Sequence, residues 1–429
     1  MEKLPIRQVF KEVYLDDDGN PKALGADALL KRCISVDLEI DPKTNRIQSF
    51  AGVRQNAEKS YVFTRGNLFE ALDGLDRFSD DVEFVVGHNF ITFDARHLEA
   101  TKHDLRLLKK PIIDTLWLNP LAFPRNPYHH LVKHYQDGRL QAGHVNDPEL
   151  DAELVFAVLG SQIGALSEID HADLEIIRAY HYLTTTRPDH AGFDAVFEYV
   201  RGVRRPSPAE AQMAIRGLLR GKACDHQIET VIPEAVQNGW PLAYALAWIS
   251  VAGGDSVMPP WVRHQFPEAS HLVRRLRDKP CADPQCDWCR TQNDPKTLLT
   301  RWFGFDGFRP NPAGPDGKPL QETIVATALE KTPTLGILPT GTGKSVCYQL
   351  PALSQFTKTG ALTIVISPLV ALMADQVEGM LRQGISSCVT INGMLSMPER
   401  QEALNRVRLG DAAMLLISPE QLRSPSVRT

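Results

Sequence analysis

The seven residues PTGTGKS at positions 339–345 constrain the fold of this chain more than any other stretch in it. A short apolar run, Thr334–Leu338, precedes them and reads as a strand, and the helical stretch VCYQLPAL follows. Strand, glycine-rich loop and helix in that order make a phosphate-binding loop. Gly341 and Gly343 let the backbone N–H groups around Thr340 and Thr342 wrap phosphate oxygens, and the positive end of the helix adds to the attraction. Lys344 is expected to bridge the β- and γ-phosphates and the Ser345 hydroxyl to ligate Mg²⁺. The strict pattern has a glycine five residues before Gly343, where this chain has Leu338. A nucleotide with Mg²⁺ is the expected ligand, held by a parallel α/β layer.

That layer accounts for the last third only. At roughly 150 residues per domain, a chain of 429 residues implies about three domains. With 43% hydrophobic and 23% charged residues, it is neither a disordered chain nor a disulfide scaffold. The net charge of −5 does not advertise a nucleic-acid binder, but it averages about −5 over residues 1–160, about −2 over 161–300 and about +2 over 301–429. The first residues, MEKLPIRQVFKEVYLDDDGN, lack the apolar core of a signal peptide, and no apolar run approaches the ~20 residues of a membrane helix. A cytoplasmic chain without a membrane partner is expected. Its seven cysteines then point to metal binding or burial rather than to disulfides.

In the first third, CISVDLEI at 33–40 reads as a strand, with Ile34, Val36 and Leu38 alternating with polar residues. Asp37 and Glu39, two apart, project from one face. Neighbouring carboxylates are costly unless solvent or a cation lies beside them, and both explanations are open at this point. A second strand, Glu83–Val86, runs into GHNFITFD, where Asp94 starts a helix. NDPELDAELVFAVL is a further helix, with Asp147 as N-cap, Pro148 in the first turn and Asp151 one turn in.

Together VDLE, GHNxxxFD and, as the last motif, Asp151-Ala152 of this helix resemble the DnaQ-like, or DEDD, exonucleases over roughly residues 30–160. The resemblance implies an RNase H-like domain in which Asp37, Glu39, Asp94 and Asp151 hold two Mg²⁺ or Mn²⁺ ions and cleave DNA from 3′ ends. Asp147 is the alternative to Asp151. Oxygen ligands suit both metals, and two ions could activate water and steady the leaving 3′ oxygen. The family places a His five residues, or a Tyr four, before the last Asp; this chain has Asn146 and Asp147 there. His144 is then the candidate general base, with an unassisted metal hydroxide or a catalytically dead nuclease as the other readings. His88 and Asn89 read as positioning residues. PRNPYHHLVKHY at 124–135, with His129, His130, Lys133 and His134, suits either a strip that steers a DNA end or an exposed helical turn.

The middle is helical: LEIIRAYHYL, AQMAIRGLLR and PLAYALAWISVA carry helical apolar spacing, and RGVRRPSP at 201–208 reads as a basic joint. Arg274, Arg275, Arg277 and Lys279 form a basic cluster that reads as a solvated face or a DNA-phosphate contact. Cys281, Cys286 and Cys289 make C-x4-C-x2-C in a loop rich in Pro and Asp, a metal-site candidate with Cys224, His264 or His271 as fourth ligand. Zn²⁺ is one candidate occupant; an iron–sulfur cluster is the other. Cys33, Cys347 and Cys388 lie in apolar settings and read as structural.

Around the phosphate loop, FGFDGFRP at 303–310, Gln321, VISPLVALMADQVEGM at 365–380 and LLISPEQL at 415–422 stand in order. This run resembles the first RecA-like domain of RecQ-type superfamily 2 DNA helicases over about 125 residues. The resemblance implies that Phe305, Arg309 and Gln321 contact adenine, and that SPL, the helix after it and SPEQL touch single-stranded DNA. Two departures stand out. PNPAGPDGKP is inserted between Arg309 and Gln321, which could disturb the adenine site. No Asp-Glu-x-His or Asp-Glu-x-Asp box follows LLISPEQL, so the expected chain binds ATP without hydrolysing it or unwinding DNA.

The expected architecture is α/β: an RNase H-like exonuclease domain at 1–165, a mostly helical linker with the Cys cluster at 166–298, and a partial RecA-like P-loop domain at 299–429. The pairing resembles Werner-type helicases, with single-stranded DNA or 3′ ends and ATP as partners. The competing expectations are a nuclease-dead DNA-binding helicase and a nucleotide-gated interaction module.

Overall fold

The computed structural model describes residues 27–125, 147–252, 258–408, 410–424 and 427. The chain divides into two compact units, one of residues 1–123 and 129–215, the other of residues 124–128 and 216–429. The helical middle is thereby shared between them, and the division falls at residues 215 and 216, inside one helix.

In the first unit, a short helix α1 (Asp27–Leu30) leads into β1 (Cys33–Asp41), β2 (Arg46–Val53) and β3 (Tyr61–Phe63), then α2 (Leu68–Phe78) and β4 (Phe84–Gly87). The helix α3 (Asp94–Thr101), the strand β5 (Ile112–Asp114) and the helix α4 (Thr115–Ala122) follow. The sheet order is β3-β2-β1-β4-β5. β1, β2 and β3 pair antiparallel, whereas β4 and β5 run parallel to β1. The first four residues of β1 are buried whichever way they point, as expected of a strand covered on both faces. From Asp37 onward the strand alternates, with Leu38 buried and Asp37 and Glu39 partly open. Ile34, Val36, Leu38, Phe50, Leu72, Leu75, Val85 and Leu98 form the core of this unit.

The covering helix is α5 (Pro148–Ala172), which packs on β1 and β2. Its start is built as the sequence suggests: Pro148 stands in the first turn, and the Asp147 carboxylate accepts from the N–H groups of Glu149 and Leu150 at 3.1 and 3.4 Å. Contrary to the expectation that no apolar run is long enough, this 25-residue helix has the length and mean hydropathy to cross a bilayer. Half of its most apolar window is buried, and Asp151 and Asp170 are among its buried residues, which marks it as a core helix. Next come α6 (Leu174–Thr184) and α7 (Ala191–Arg201). Gly192 lets α7 approach β5, because a Cβ there would sit 2.2 Å from the Ile112 carbonyl oxygen. The basic joint at 201–208 separates α7 from α8 (Pro208–Leu219), the helix that carries the division between the units.

The second unit runs through α9 (Asp225–Val231), α10 (Ala235–Ser250), α11 (Pro260–Gln265), α12 (Pro267–Asp278), α13 (Asp287–Asn293) and α14 (Pro295–Phe303). It continues with α15 (Leu320–Leu329), α16 (Val346–Thr359), β6 (Thr363–Ile366), α17 (Val370–Arg382), β7 (Cys388–Ile391), α18 (Met397–Arg408) and β8 (Met414–Ile417). The three strands are parallel, in the order β6-β8-β7. Thr334–Leu338, expected as a strand, is not one: it pairs with neither sheet, and Leu335 and Ile337 are 87% and 79% exposed. An apolar run becomes a strand only where a ladder partner is available, and β6 and β7 pair with β8 instead.

The basic cluster on and beside α12 divides, with Arg274 and Lys279 exposed as a solvated face requires. Arg277 is buried against protein, and Arg275, partly exposed, pairs with Glu234 at 2.7 Å. The 310–319 insertion folds back on itself, with Gly314 N–H bonded to the Lys318 carbonyl at 2.8 Å and Leu320 N–H to that of Pro312 at 2.9 Å. Arg309 and Gln321 consequently meet, with Arg309 N–H donating to Gln321 Oε1 at 3.1 Å.

Candidate functional site

In the first unit, the outward face of β1 presents Asp37 and Glu39 beside the first turn of α5, which presents Asp151. One carboxylate oxygen from each lies within 4.8 Å of the others. Asp151 is buried; Asp37 and Glu39 are half-buried. Asp147 stays outside this group, occupied as the N-cap.

Asp94 is placed differently. It starts α3, is 4% exposed, and its Oδ1 accepts the Leu38 N–H at 3.2 Å. The parallel ladder between β1 and β4 ends at Ser35 and Val86, so Leu38 lies beyond it and finds its acceptor in a carboxylate. Burial, reinforced by the charges of Asp37 and Asp114, pushes the Asp94 carboxyl well above the usual range. The structure therefore brings three of the four expected acids into one group and stands the fourth beside Asp37.

Asp114 escaped the sequence reading. It ends β5, is fully buried, and accepts from the N–H groups of Asn89, Ile91 and Leu116 at 2.9, 2.9 and 3.0 Å. Burial pushes its carboxyl up to about 6, although all these N–H groups favour the charged form. An Asp at the end of the apolar Ile112–Ile113 pair, immediately before a helix, was the available signal. His88 and Asn89 serve the same loop: His88 Nδ1 bonds the Thr115 hydroxyl at 2.9 Å, and Asn89, at φ +66°, aims its N–H at Asp114. His144 and the strip at 129–134 lie outside the described residues.

Carboxylates brought together from two elements repel one another, and a divalent cation is a natural counter-charge. The donor set is all oxygen, which suits Mg²⁺ or Mn²⁺ over softer metals. The residues present fit such an ion.

In the second unit, the phosphate loop passes through Gly341 and Gly343 with φ of +78° and +76°, a region that L side chains avoid. Ser345 begins α16, and Lys344 Nζ donates to the Leu338 carbonyl at 3.1 Å. Thr342 Oγ1 donates to the Pro339 carbonyl at 2.7 Å. Gln321 Nε2 donates to the carbonyls of Thr342 and Gly343 at 2.6 and 3.0 Å, and Arg309 to that of Gly341. Phe305, half-exposed, stacks on Phe303 with centroids 6.3 Å apart.

Residues 318–428 match the DEAD/DEAH box helicase family. The C-terminal segment is similar to RecQ-type helicases: it is 40% identical over 129 residues to the ATP-dependent DNA helicase RecQ of Synechocystis sp. and 41% identical over 129 residues to that of Bacillus subtilis. It is 40% identical over 120 residues to the human ATP-dependent DNA helicase Q4. These alignments cover 30%, 30% and 28% of this chain and 24%, 20% and 9% of the respective relatives. The chain thus spans a quarter or less of the length of these curated relatives. The matched segment contains Gln321 and the whole phosphate loop, so the helicase likeness and the loop geometry concern the same residues.

Proposed function

We propose that this chain belongs to an ATP-dependent DNA helicase of RecQ type that carries a 3′–5′ exonuclease module in its first unit. The helicase reading rests on the family match over the phosphate loop. Lys344 and the loop's N–H groups bind the nucleotide's phosphates, Ser345 its Mg²⁺, and Phe305, Arg309 and Gln321 lie at the adenine. The segments around Ser367–Leu369 and Ser418–Leu422 contact single-stranded DNA.

The exonuclease reading is carried by one observation: Asp37, Glu39 and Asp151, from a strand and a helix 110 or more residues apart in sequence, converge within 4.8 Å. The sheet order β3-β2-β1-β4-β5, with the first three strands antiparallel, supports an RNase H-like assignment. Asp37, Glu39 and Asp151 hold a divalent cation, and Asp94, beside Asp37, contributes to a second. Bound there, Mg²⁺ or Mn²⁺ supplies Lewis-acid polarisation of the scissile phosphate. Asp94 also fixes the backbone between Asp37 and Glu39 through the Leu38 N–H, so both acids keep their aim.

The test is incubation of the full chain with 3′-labelled single-stranded DNA and Mn²⁺. Shortening from the labelled end is expected, reduced at least a hundredfold by Asp37→Asn or Asp151→Asn. No shortening, or shortening indifferent to both substitutions, refutes the nuclease reading and leaves a DNA-binding helicase segment.

A further inference from the structure

Far from the phosphate loop in sequence, four thiols of the second unit converge. Cys224 caps the start of α9, Cys281 lies in the turn after α12, Cys286 caps α13, and Cys289 sits in its first turn. The Cys281 and Cys289 sulfurs are 3.6 Å apart and those of Cys286 and Cys224 3.9 Å, and all four lie within 4.8 Å of one another. None is in a disulfide, whose sulfurs would be about 2.05 Å apart. His264 and His271, the other candidates for the fourth position, are not in the group.

We propose that Cys224, Cys281, Cys286 and Cys289 hold one zinc ion, which fastens the turn after α12 to α9 and α13. The spacing favours a single tetrahedral ion over a cluster, and four thiolates with no open position suit structural zinc. Four sulfurs placed tetrahedrally about one ion at about 2.3 Å are about 3.8 Å from one another, the value that 3.6 and 3.9 Å bracket. A four-iron cluster puts each thiolate on a different iron and spreads the sulfurs well beyond that edge. The backbone contributes as well, since the Cys281 N–H points at the Cys289 sulfur at 3.4 Å, a donor that steadies a thiolate.

The site also has a structural reason to exist. Cys224 and Cys281 are far apart in sequence, and among the described residues the small cluster holding them contains only the cysteines and Trp288. So few apolar side chains bury little surface, and a structural zinc ion supplies folding free energy that such a cluster lacks. Binding exchanges four S–H protons for four Zn–S bonds and involves no change of oxidation state.

What the ion fastens is the end of α12. Cys224 N–H bonds the Leu276 carbonyl at 2.9 Å, and the Trp288 indole N–H bonds that of Arg277 at 3.2 Å. From this end Arg277 donates to the carbonyls of Thr357 and Lys358, and Asp278 pairs with Lys358 at 3.0 Å. Both partners lie in the last turn of α16, the helix that starts at the phosphate loop. The zinc ion is thereby tied to the helix that carries the nucleotide site.

Metal content of the purified full chain, by elemental mass spectrometry, gives the first reading: about one zinc per chain, halved or worse by Cys224→Ser and by Cys289→Ser and unchanged by Cys347→Ser. Because the serine variants could fail to fold, the unsubstituted chain is also stripped with chelator and titrated with Co²⁺. An intense tetrahedral thiolate spectrum saturating at one equivalent supports the proposal. A weak octahedral spectrum, iron with labile sulfide, less than about half a zinc per chain, or full zinc in a folded Cys224→Ser variant overturns it.

Discussion

Arg277 offers the sharpest energetic test of how the second unit is held together. Its guanidinium is buried, lies over the rings of Trp248 and Trp288 at 5.7 and 4.7 Å, and donates to three backbone carbonyls: Lys222 at 2.6 Å, Thr357 at 3.0 Å and Lys358 at 2.9 Å. Three bonds from a charged donor contribute roughly 2 kcal/mol each, about 6 kcal/mol together. Opposing them, burial lowers the guanidinium pKa to about 10, a desolvation cost of about 3 kcal/mol. Arg277→Met keeps the aliphatic stem and removes both contributions, so the expected net destabilisation is about 3 kcal/mol. With a urea slope of about 3 kcal/mol/M, the unfolding midpoint of this unit falls by about 1 M. Tryptophan fluorescence reports it directly, because two indoles stack on the group removed. Arg275→Met, two residues away with a partly exposed Glu234 partner, is the control and costs less than about 1 kcal/mol. A midpoint for Arg277→Met within about 0.3 M of the parent, or equal losses for the two variants, would refute the bookkeeping that makes Arg277 a clasp rather than a surface charge.

Two further outcomes follow from the geometry. Gly343→Ala places a Cβ at φ +76° and 2.9 Å from Gln321 Nε2, so binding of a fluorescent ATP analogue weakens about tenfold from strain of about 1–2 kcal/mol; Gly317→Ala, at the same φ with nothing within 4 Å, leaves affinity unchanged, and equal effects of the two sink the idea. In the first unit His181 is buried, accepts from Arg201 at Nδ1 and meets Asp194 through Nε2 at 2.6 Å, which selects the neutral Nε2–H tautomer; burial lowers its pKa from 6.5 to about 4. The unfolded imidazole therefore takes up its proton first as pH falls, so stability is full above pH 6.5 and declines by up to about 3 kcal/mol toward pH 4. His181→Asn flattens that decline in urea titrations at the two pH values, and an unchanged slope counts against the assignment.

How much of this was legible follows from how local each signal is. The alternation in the second half of β1, the Asp147–Pro148 start of α5 and the glycine pattern of the phosphate loop are written within a few residues, and the structure has each of them. Thr334–Leu338 has a strand's composition, but a strand also needs a partner, and composition does not carry that. Arg274, Arg275 and Arg277 look alike in sequence; which one is buried depends on carbonyls of residues 55 to 81 positions away. Cys224 was one of three candidates for the same reason, since only folding decides which distant side chain meets the C-x4-C-x2-C turn.

The acidic site shows the limit in another form. The parallel ladder ends at Ser35 and Val86 between β1 and β4, and at Gly87 and Asp114 between β4 and β5. Past those points backbone N–H groups of Leu38, Asn89 and Ile91 need acceptors, and Asp94 and Asp114 supply them. Each of these bonds favours the ionised acid while burial opposes it and prevails, and at Asp94 the charges of Asp37 and Asp114 push the carboxyl in the same direction as burial. The splaying that ends the ladder thus does two things at once. It leaves backbone donors that need acceptors from outside the sheet, and it brings the Asp94 carboxyl under the charge of Asp37. A motif search finds the outward acids; the inward ones follow from asking where the strand's last hydrogen bonds go.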